Sequence, residues 1–334
     1  MQARWLITGA QGFVGRYLSH LVLLSDPAAM VVGLGRSERL DGYFSHQVTG
    51  PKGPTRAPLP PAILASEDER YHYCRCDLAD NERLQAILDK FRPEKVIHLA
   101  SGLRGDRRRD LIDNNIAGTA SLLEAAAKVD GYLPKVVLGS TGGVYGEVGP
   151  SSLPLNETLP CESVDEYSVT KLAAELLARL IANRKGIKLV IARMFNLVGA
   201  GQDERHVAGR IAAELIQQRS QEVADLKLGS LTSTRDFIDV RDAVRALYLL
   251  TNRSAEGVFN VGTGRECSIA ELLNESIAVY GNEVCIQNNA DGRRDIPRHF
   301  ADISRLRQIG FEPFYSLRSS VESIWDYYLQ LWCT

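Results

Sequence analysis

The chain has 334 residues and nearly balanced charges, with 39 Lys or Arg against 41 Asp or Glu and a formal net charge of -2 at pH 7. This balance gives no electrostatic reason to expect nucleic acid or an anionic membrane as a partner. No apolar run approaches the ~20 residues of a membrane span, and the first strand pattern starts too near the first residue to leave a secretory leader. The six cysteines are scattered without Cys-x-x-Cys pairs, which favours free thiols over disulfides or a zinc site. We therefore expect a cytoplasmic protein without a metal, in about two domains.

A glycine-rich turn follows the first predicted strand, residues 4–8, and leads directly into a helical pattern. The turn reads Gly9-Ala10-Gln11-Gly12-Phe13-Val14-Gly15. Gly9 allows a tight turn, Gly12 lets a pyrophosphate approach the backbone, and Gly15 lets the helix pack closely on the strand. The start of the helix offers free N–H groups to the same phosphates. This order of elements predicts a dinucleotide site formed by the turn, rather than a merely structural turn.

The second predicted strand, residues 30–34, ends where a side chain meets the adenosine ribose, roughly twenty residues beyond the glycines. Arg36 and Ser37 stand there instead of an acid. An arginine beside a hydroxyl suits a 2′-phosphate, whereas an aspartate would accept from the free 2′-hydroxyl of NAD. The pair favours NADP over NAD as the cofactor. The other interpretation of Arg36 is a solvated loop charge.

Residues 41–70 are rich in Pro and Gly and interrupt the rhythm of strands and helices. We interpret this segment as an ordered or partly mobile insertion.

The candidate chemistry lies between residues 139 and 171. Tyr167 and Lys171 are four residues apart, so on a helix they share one face and the ammonium can stabilise the phenolate. An ordinary tyrosine, with a pKa of about 10, is a poor proton donor near neutrality, and a fixed cation corrects this. Thr141 adds a hydroxyl from the end of the apolar strand pattern at residues 135–139. The sequence predicts a carbonyl group held between these two hydroxyls.

Three further polar features accompany these motifs. His98, in the apolar run of residues 95–101, is predicted to be a packed core histidine. Asn115 lies within a predicted helix over residues 110–128, where a mid-helix asparagine is costly and so indicates a polar or close-packing role. The arginine-rich run of residues 104–109 suits either a guard for a phosphate-bearing substrate or a solvated helix start.

The motifs occur in an order that resembles the extended short-chain dehydrogenases acting on nucleotide-diphosphate sugars, and the resemblance runs nearly end to end. They are Gly9-x-x-Gly12-x-x-Gly15, Asp77-Leu78, His98-Leu99-Ala100, Asn115-x-x-Gly118-Thr119, Val144-Tyr145-Gly146, Tyr167-x-x-x-Lys171 and Arg193-x-Phe195-Asn196. The resemblance implies an α/β fold, a Rossmann-type doubly wound parallel sheet with a smaller C-terminal substrate-binding domain. Residues 1–195 with 236–262 would bind the dinucleotide, and residues 196–235 with 263–334 the nucleotide sugar. It also implies a homodimer joined through helices 110–128 and 167–183 as a four-helix bundle.

The same resemblance implies a set of site residues. Further cofactor contacts are expected at Asp77, Leu78, Leu99, Ala100 and Ser101, with Tyr167 and Lys171. The expected catalytic residues are Thr141, Tyr167 and Lys171, with Asn115 as a weaker candidate. The expected substrate contacts are Tyr145, Asn196, Arg210, Arg235, Arg293 and Arg294. The family pattern Arg-x-x-Asp has Gly292 at its first position here, so the choice between Arg293 and Arg294 stays open, as does a role for these arginines as surface charges.

Two features favour one activity within the family. Dehydratases carry acids between the catalytic Ser/Thr and the Tyr-Gly pair, where this chain has Gly142 and Gly143, so a dehydratase is disfavoured. The stretch Asp239-Val240-Arg241-Asp242 resembles the branch of GDP-4-keto-6-deoxymannose reductases and dehydratases more than the 4-epimerases, and together with Arg36 and Ser37 it favours a ketoreductase. The expected function is NADPH-dependent reduction of the C4 ketone of a nucleotide-diphosphate 4-keto-6-deoxyhexose, with GDP favoured.

Two alternatives remain. One is an NAD-dependent nucleotide-sugar 4-epimerase, which needs only the hydroxyl, the tyrosine and the cofactor. The other is a non-catalytic dinucleotide-sensing binding protein, against which the retention of Thr141, Tyr167 and Lys171 argues.

Overall fold

The computed structural model describes residues 3–38, 41–63, 68–281, 283–288 and 296–333. The strands in chain order are β1 Arg4–Thr8, β2 Met30–Gly35, β3 Tyr43–Gly50, β4 Gly53–Pro58, β5 Tyr71–Arg75, β6 Lys95–His98, β7 Lys135–Thr141, β8 Lys188–Met194, β9 Asn196–Val198, β10 Val223–Leu228, β11 Thr234–Arg235, β12 Phe237–Asp239, β13 Gly257–Val261, β14 Cys267–Ser268, β15 Glu283–Asn288 and β16 Arg298–His299. The helices are α1 Phe13–Ser25, α2 Asn81–Phe91, α3 Arg108–Leu111, α4 Gly118–Ala127, α5 Glu166–Lys185, α6 Val207–Gln217, α7 Val240–Asn252, α8 Ile269–Tyr280, α9 Ser304–Gln308 and α10 Leu317–Cys333.

A seven-stranded parallel sheet in the order β13-β8-β7-β6-β1-β2-β5 is the centre of the fold. Its strands are almost continuously apolar because helices cover both faces. One buried cluster joins the sheet to α1 and α7, and another joins it to α2, α4 and α5. The strand order reverses between β1 and β6, and ligands of such sheets bind at the carboxyl ends of the strands at that point. The predicted doubly wound Rossmann-type sheet is confirmed.

The second part of the fold consists of small sheets and three amphipathic helices. The sheets pair β10 with β15, β11 with β14 and β16, and β12 with β9. Helices α6, α8 and α10 pack over a separate hydrophobic cluster. The division into residues 1–195 with 236–262 and 196–235 with 263–334 stays a prediction.

The insertion at residues 41–70 contains an ordered β-hairpin, β3 and β4, and residues 64–67 lie outside the described part. Its buried side chains, Phe44, Val48 and Ala57, belong to the cluster of α6, α8 and α10. Its backbone also reaches the glycine-rich turn, because Ser45 N donates to the carbonyl of Gln11 at 2.8 Å. The hairpin therefore joins the two parts of the fold.

The helix predicted over residues 110–128 is not one α-helix. A π-helical turn, Ile112–Ala117, separates α3 from α4. The extra residue lies where the side chain of Asn115 makes hydrogen bonds outside the helix, and π-turns of this kind are frequent at functional sites.

Two observations concern the chain as a whole. None of the helices within the described ranges combines the length and apolar character needed to cross a bilayer. All six cysteines are free thiols, as their scattered spacing predicts.

Candidate active site

The glycine-rich turn has the shape that a diphosphate requires. Gly9 has φ +66°, in the left-handed region, and a Cβ there would lie 2.8 Å from the backbone N of Ala100. A Cβ on Gly15 would lie 2.3 Å from the carbonyl oxygen of Gly9, so only glycine permits this approach of α1. Gly12 is the N-cap of α1 and has no side chain to cap the first turn, which includes Phe13 and Val14 and contains no acid. The free N–H groups of this turn suit the phosphates of a dinucleotide.

The predicted adenosine contacts lie at the ends of β2 and β5. Arg36 is exposed, and its Nη1 lies 3.4 Å from Oδ1 of Asn114. The carbonyl of Ser37 accepts from the hydroxyl of Tyr73 at 2.9 Å. Asp77 is exposed and its carboxylate accepts from Ala79 N, while Leu78 lies beside Gly118. These residues thus lie at the carboxyl ends of two adjacent strands, and their contact with the adenosine stays a prediction.

His98 is a buried histidine that two threonines hold in one tautomer. Thr119 donates its hydroxyl to the carbonyl of Asn115 at 2.6 Å and so accepts from Nε2 of His98 at 3.0 Å. Nδ1 of His98 therefore accepts from the Thr8 hydroxyl at 2.6 Å. Burial, with a contribution from the charge of Lys171, lowers the pKa of His98 to about 3. The predicted packed core histidine is confirmed.

The backbone after His98 is fixed by Thr8. The N–H groups of Leu99 and Ala100 both donate to its hydroxyl oxygen at 3.1 Å. These two half-buried residues thus lie in a fixed position beside Gly9, as expected of cofactor contacts.

Tyr167 and Lys171 lie on consecutive turns at the start of α5. The helix begins there because the Asp165 carboxylate caps it and accepts from Ser168 N at 2.9 Å. Lys171 is only 4% exposed, and burial lowers its pKa to about 8 against the opposing charge of Glu175. Burial raises the pKa of Tyr167, whereas the charge of Arg104 and a hydrogen bond with Ser101 oppose the rise. Their spacing of four residues on one α-helix places the two side chains on the same face, and their catalytic role stays a prediction.

Asn115 connects the loop after β6 to α5. Its Oδ1 accepts from Ser101 Oγ at 2.8 Å and from Gly102 N at 2.7 Å. Its Nδ2 donates to Thr170 Oγ1 at 2.9 Å, and that hydroxyl donates to the carbonyl of Tyr167 at 2.8 Å. Asn115 therefore holds the start of α5 against the loop after β6.

Thr141 is the last residue of β7, and its hydroxyl accepts from Gly143 N at 3.1 Å. The turn that follows has no room for side chains. A Cβ on Gly142 would lie 3.0–3.1 Å from the rings of Phe195 and His299, and a Cβ on Gly143 would lie 2.5 Å from Ser168 Oγ. Acidic side chains cannot be accommodated at these two positions without rearrangement.

Tyr145 was expected to contact substrate, and the structure places it in the core instead. It has no exposed surface, and its hydroxyl donates to Asn260 Oδ1 at 2.7 Å. The guanidinium of Arg193 lies 4.8 Å from its ring centroid. The ring is buried because it packs in the main hydrophobic cluster, where a substrate cannot reach it.

The remaining predicted substrate residues lie in the second part of the fold. Asn196 begins β9 and is half-buried. Arg235 donates from Nη1 to the carbonyls of Thr234 and Ile296 at 2.7 and 2.8 Å. Arg210, on α6, lies 3.9 Å from the Glu214 carboxylate. Arg293 and Arg294 lie outside the described residues.

His299 lies beside the candidate site and was not predicted from the sequence. It pairs with Arg235 across β11 and β16, and its Nε2 donates to the carbonyl of Gly142 at 3.1 Å. It thereby brings Arg235 towards Thr141. Burial, with the charge of Arg235, lowers the pKa of His299 to about 4. A single histidine far from any motif gives no sequence signal for this position.

The arginine-rich run of residues 104–109 is largely a solvated helix start. Its arginines pair with Asp110, Asp113, Asp165 and Glu166. Arg104 also lies over the active site, with its guanidinium carbon 5.9 Å from the Tyr167 ring centroid. Its spacing from the catalytic pair could not indicate this contact.

Comparisons with known proteins agree with this geometry. The model of the NAD dependent epimerase/dehydratase family matches residues 5–262. GDP-6-deoxy-D-mannose reductase of Pseudomonas aeruginosa is 29% identical, over 97% of this chain and 96% of the relative. The structure of RMD from P. aeruginosa complexed with NADPH has a TM-score of 0.78 at 26% identity, with 99% of this chain and 98% of that chain covered. UDP-glucuronic acid 4-epimerase from Bacillus cereus, in complex with UDP-glucuronic acid and NAD, has a TM-score of 0.77 at 26% identity, with 98% and 100% covered. On the family match, which spans well over half of its length, the chain belongs to the NAD dependent epimerase/dehydratase family.

Proposed function

We propose that the protein is an NADPH-dependent reductase of the C4 ketone of a nucleotide-diphosphate 4-keto-6-deoxyhexose, with a GDP-linked sugar as the first candidate. The observation that carries the proposal is the buried Lys171 one turn from Tyr167, on a helix whose Glu175 is hydrogen-bonded to Ser140 beside Thr141 at the end of β7. The likeness to GDP-6-deoxy-D-mannose reductase supports the substrate class. The closed turn at Gly142 and Gly143 supports a reaction other than dehydration.

The residues of the chain divide the reaction between them. Thr141 and Tyr167 orient the ketone through its oxygen, and Tyr167 supplies the proton as that oxygen gains charge. When Tyr167 has given up its proton, the Lys171 ammonium stabilises the resulting phenolate. The glycine-rich turn, Arg36 and Ser37 would hold the cofactor, and when bound its reduced nicotinamide supplies the hydride.

A substrate panel tests this function. Wild-type protein is incubated with NADPH and the UDP-, GDP-, CDP- or dTDP-linked 4-keto-6-deoxysugar, and loss of NADPH is followed. We expect consumption with at least one sugar, fastest with GDP, and none above background with Tyr167→Phe. A folded wild-type protein that consumes no NADPH with any of them would contradict the proposal.

The preference for NADPH is assigned to Arg36 and Ser37, and the NADPH complex of RMD supports it. Charge-assisted hydrogen bonds to a phosphate contribute about 1.5–3 kcal/mol, which corresponds to roughly 10–100-fold in Kd. Arg36→Asp should therefore weaken NADPH by about that factor and leave NADH unaffected or tighter. Arg4→Asp, which makes the same charge change at the amino end of β1, should change neither Kd. Equal NADPH affinity in wild type and Arg36→Asp would remove Arg36 from the cofactor site.

We also propose a homodimer. Val169, Leu176 and Leu180 form an exposed apolar stripe along α5, and Ile112 is exposed on the adjacent π-turn. Burial of such a stripe against a second copy is favourable. Light scattering at micromolar concentration should show a dimer that Leu176→Glu dissociates and that Leu133→Glu, at an exposed leucine elsewhere, does not. A monomeric wild type would contradict the assembly.

A further inference from the structure

Glu175 is a carboxylate without any exposed surface, and it lies on the same helix as the catalytic pair. Its Oε1 accepts from Ser140 Oγ at 2.5 Å and from Arg193 Nε at 3.1 Å. Its Oε2 accepts from Arg193 Nη2 at 2.8 Å. A buried carboxylate is costly unless it is paired in this manner.

The position of Glu175 relates it to all three catalytic residues. It follows Lys171 by four residues and Tyr167 by eight, so the three side chains share one face of α5. Its partner Ser140 immediately precedes Thr141 at the end of β7. The hydrogen bond between Ser140 and Glu175 therefore ties the strand end that carries one catalytic hydroxyl to the helix that carries the other.

Glu175 also contributes charge to the site. Burial lowers the pKa of Lys171 to about 8, and the Glu175 carboxylate acts in the opposite direction. His98, which faces Lys171 from β6, has a pKa of about 3 and is neutral. Cys161, near Glu175, is a neutral thiol because burial raises its pKa. The Glu175 carboxylate thus favours the charged form of Lys171 by raising its pKa.

A contribution to stability alone does not explain the buried ion pair of Glu175 with Arg193. Buried pairs often contribute no more than apolar residues of the same volume. Within the described residues, Nη1 of Arg193 is buried without a hydrogen-bond partner, and the second cation near Glu175, Arg179, lies 3.6 Å away and is half exposed. The tie to Ser140 and the charge on Lys171 are functions that an apolar pair would not supply.

We propose that Glu175 is a positioning residue of this active site, which ties the strand end of Thr141 to the helix of Tyr167 and Lys171 and keeps the Lys171 side chain charged. The proposal rests on the proposed function for the catalytic roles of these three residues.

A titration that needs no substrate tests the charge directly. The protein is labelled with ¹³C-lysine, and the Cε signal of Lys171, assigned by its loss in Lys171→Met, is followed by NMR from pH 6 to 11. We expect the Lys171 pKa to fall in Glu175→Gln and to stay near the wild-type value in Ser140→Ala, which keeps both charges, and in Glu175→Asp. An unchanged Lys171 titration in folded Glu175→Gln would overturn the proposal.

Because Glu175→Gln leaves Arg193 unpaired, a second variant guards against misfolding. Glu175→Gln combined with Arg193→Met removes both buried charges together. We expect the Lys171 pKa to fall in this variant as well. A wild-type value in the folded double variant would overturn the proposal.

Kinetics supply the second readout. Reduction needs the charged lysine, so kcat should fall as the pH rises through the Lys171 pKa. In Glu175→Gln this alkaline limb should move to lower pH, which lowers kcat at pH 8 by about fivefold or more. A limb that stays in place would contradict the proposal. If wild type reduces no ketosugar, the proposed function fails while the NMR titration still decides the role of Glu175.

Discussion

The two parts of the fold hold their charges in different ways. In the part built on the parallel sheet, Asn115, Lys171 and Glu175 are almost fully buried, and Asn115 and Glu175 are hydrogen-bonded to other elements of the fold. In the second part of the fold, Arg205 and Arg210 each have 43% of the side chain exposed, and each pairs with an acid close to it in the sequence. Buried groups with many partners are preorganised, whereas exposed local pairs rearrange at little cost. Under the proposed function, the groups that do the chemistry are therefore preorganised, whereas the arginines of the second part can rearrange around a ligand.

The largest effect on activity is expected from removing the functional group of Tyr167 or Lys171 on α5. Tyr167→Phe should lower kcat by about 10²–10⁴-fold, the usual contribution of general acid catalysis, and leave the Kd values of cofactor and sugar nearly unchanged. Lys171→Met should also weaken cofactor binding. Tyr43→Phe, at an exposed tyrosine, is the control. Steady-state kinetics and calorimetry measure both effects, and wild-type kcat in Tyr167→Phe would contradict the assignment.

The hairpin of β3 and β4 tests how firmly the two parts of the fold are joined. Phe44 is fully buried against Gly201, and Phe44→Ala should reduce the free energy of unfolding by about 3–5 kcal/mol. Tyr43→Ala, on the exposed face of the same strand, should cost less than about 1 kcal/mol. Urea denaturation measures the difference. Equal stability of the two variants would show that the hairpin does not join the two parts of the fold.

The closed turn after Thr141 provides a smaller effect. Gly143→Ala places a Cβ 2.5 Å from Ser168 Oγ and should cost about 1–3 kcal/mol of stability, because the Ser168 hydroxyl must move and lose its hydrogen bond with the Asp165 carboxylate. Gly149→Ala is the matched control, since its φ is -65° and nothing lies within 4 Å of the new Cβ. Denaturation of both variants is the measurement. If the two are equally stable, the turn has more room than the structure indicates.

The smallest effect is expected from Arg104, an exposed cation that lies over the Tyr167 ring. The charge of Arg104 lowers the pKa of Tyr167, so Arg104→Gln should raise that pKa and reduce kcat. The reduction should be only about threefold, and smaller at high salt, because the side chain is 70% exposed and water screens it. Arg108→Gln, which removes the neighbouring bond to Glu166, should leave kcat unchanged. Identical kcat values for the two variants would exclude an electrostatic role for Arg104.

Sequence patterns predicted the part of the fold built on the parallel sheet well, because its motifs are contiguous in the sequence. A strand, a glycine turn and a helix are contiguous, and Tyr167 and Lys171 lie one helical turn apart. Glu175 continues that same spacing and could have been included on the same grounds.

Other features depend on partners that are distant in the chain. The hairpin is ordered by bonds such as Thr49 N to Glu204, which are 155 residues apart, so its Pro- and Gly-rich composition could not indicate burial. The π-turn follows from the bonds of Asn115 to Gly102 and Thr170. Tyr145 belongs to a motif, but its ring packs in the main hydrophobic cluster and its hydroxyl bonds Asn260 on β13, and both partners are distant in the chain.

The most direct test of the central claim is the stoichiometry of the reaction. Wild-type protein is given NADPH and the 4-keto-6-deoxysugar that it consumes fastest, and both oxidised cofactor and reduced sugar are quantified. A reductase that uses Tyr167 as proton donor should form one NADP⁺ for each 4-hydroxy sugar. Tightly held NAD that copurifies with the protein, together with interconversion of 4-epimeric nucleotide sugars and no net loss of NADPH, would contradict the account and establish a 4-epimerase.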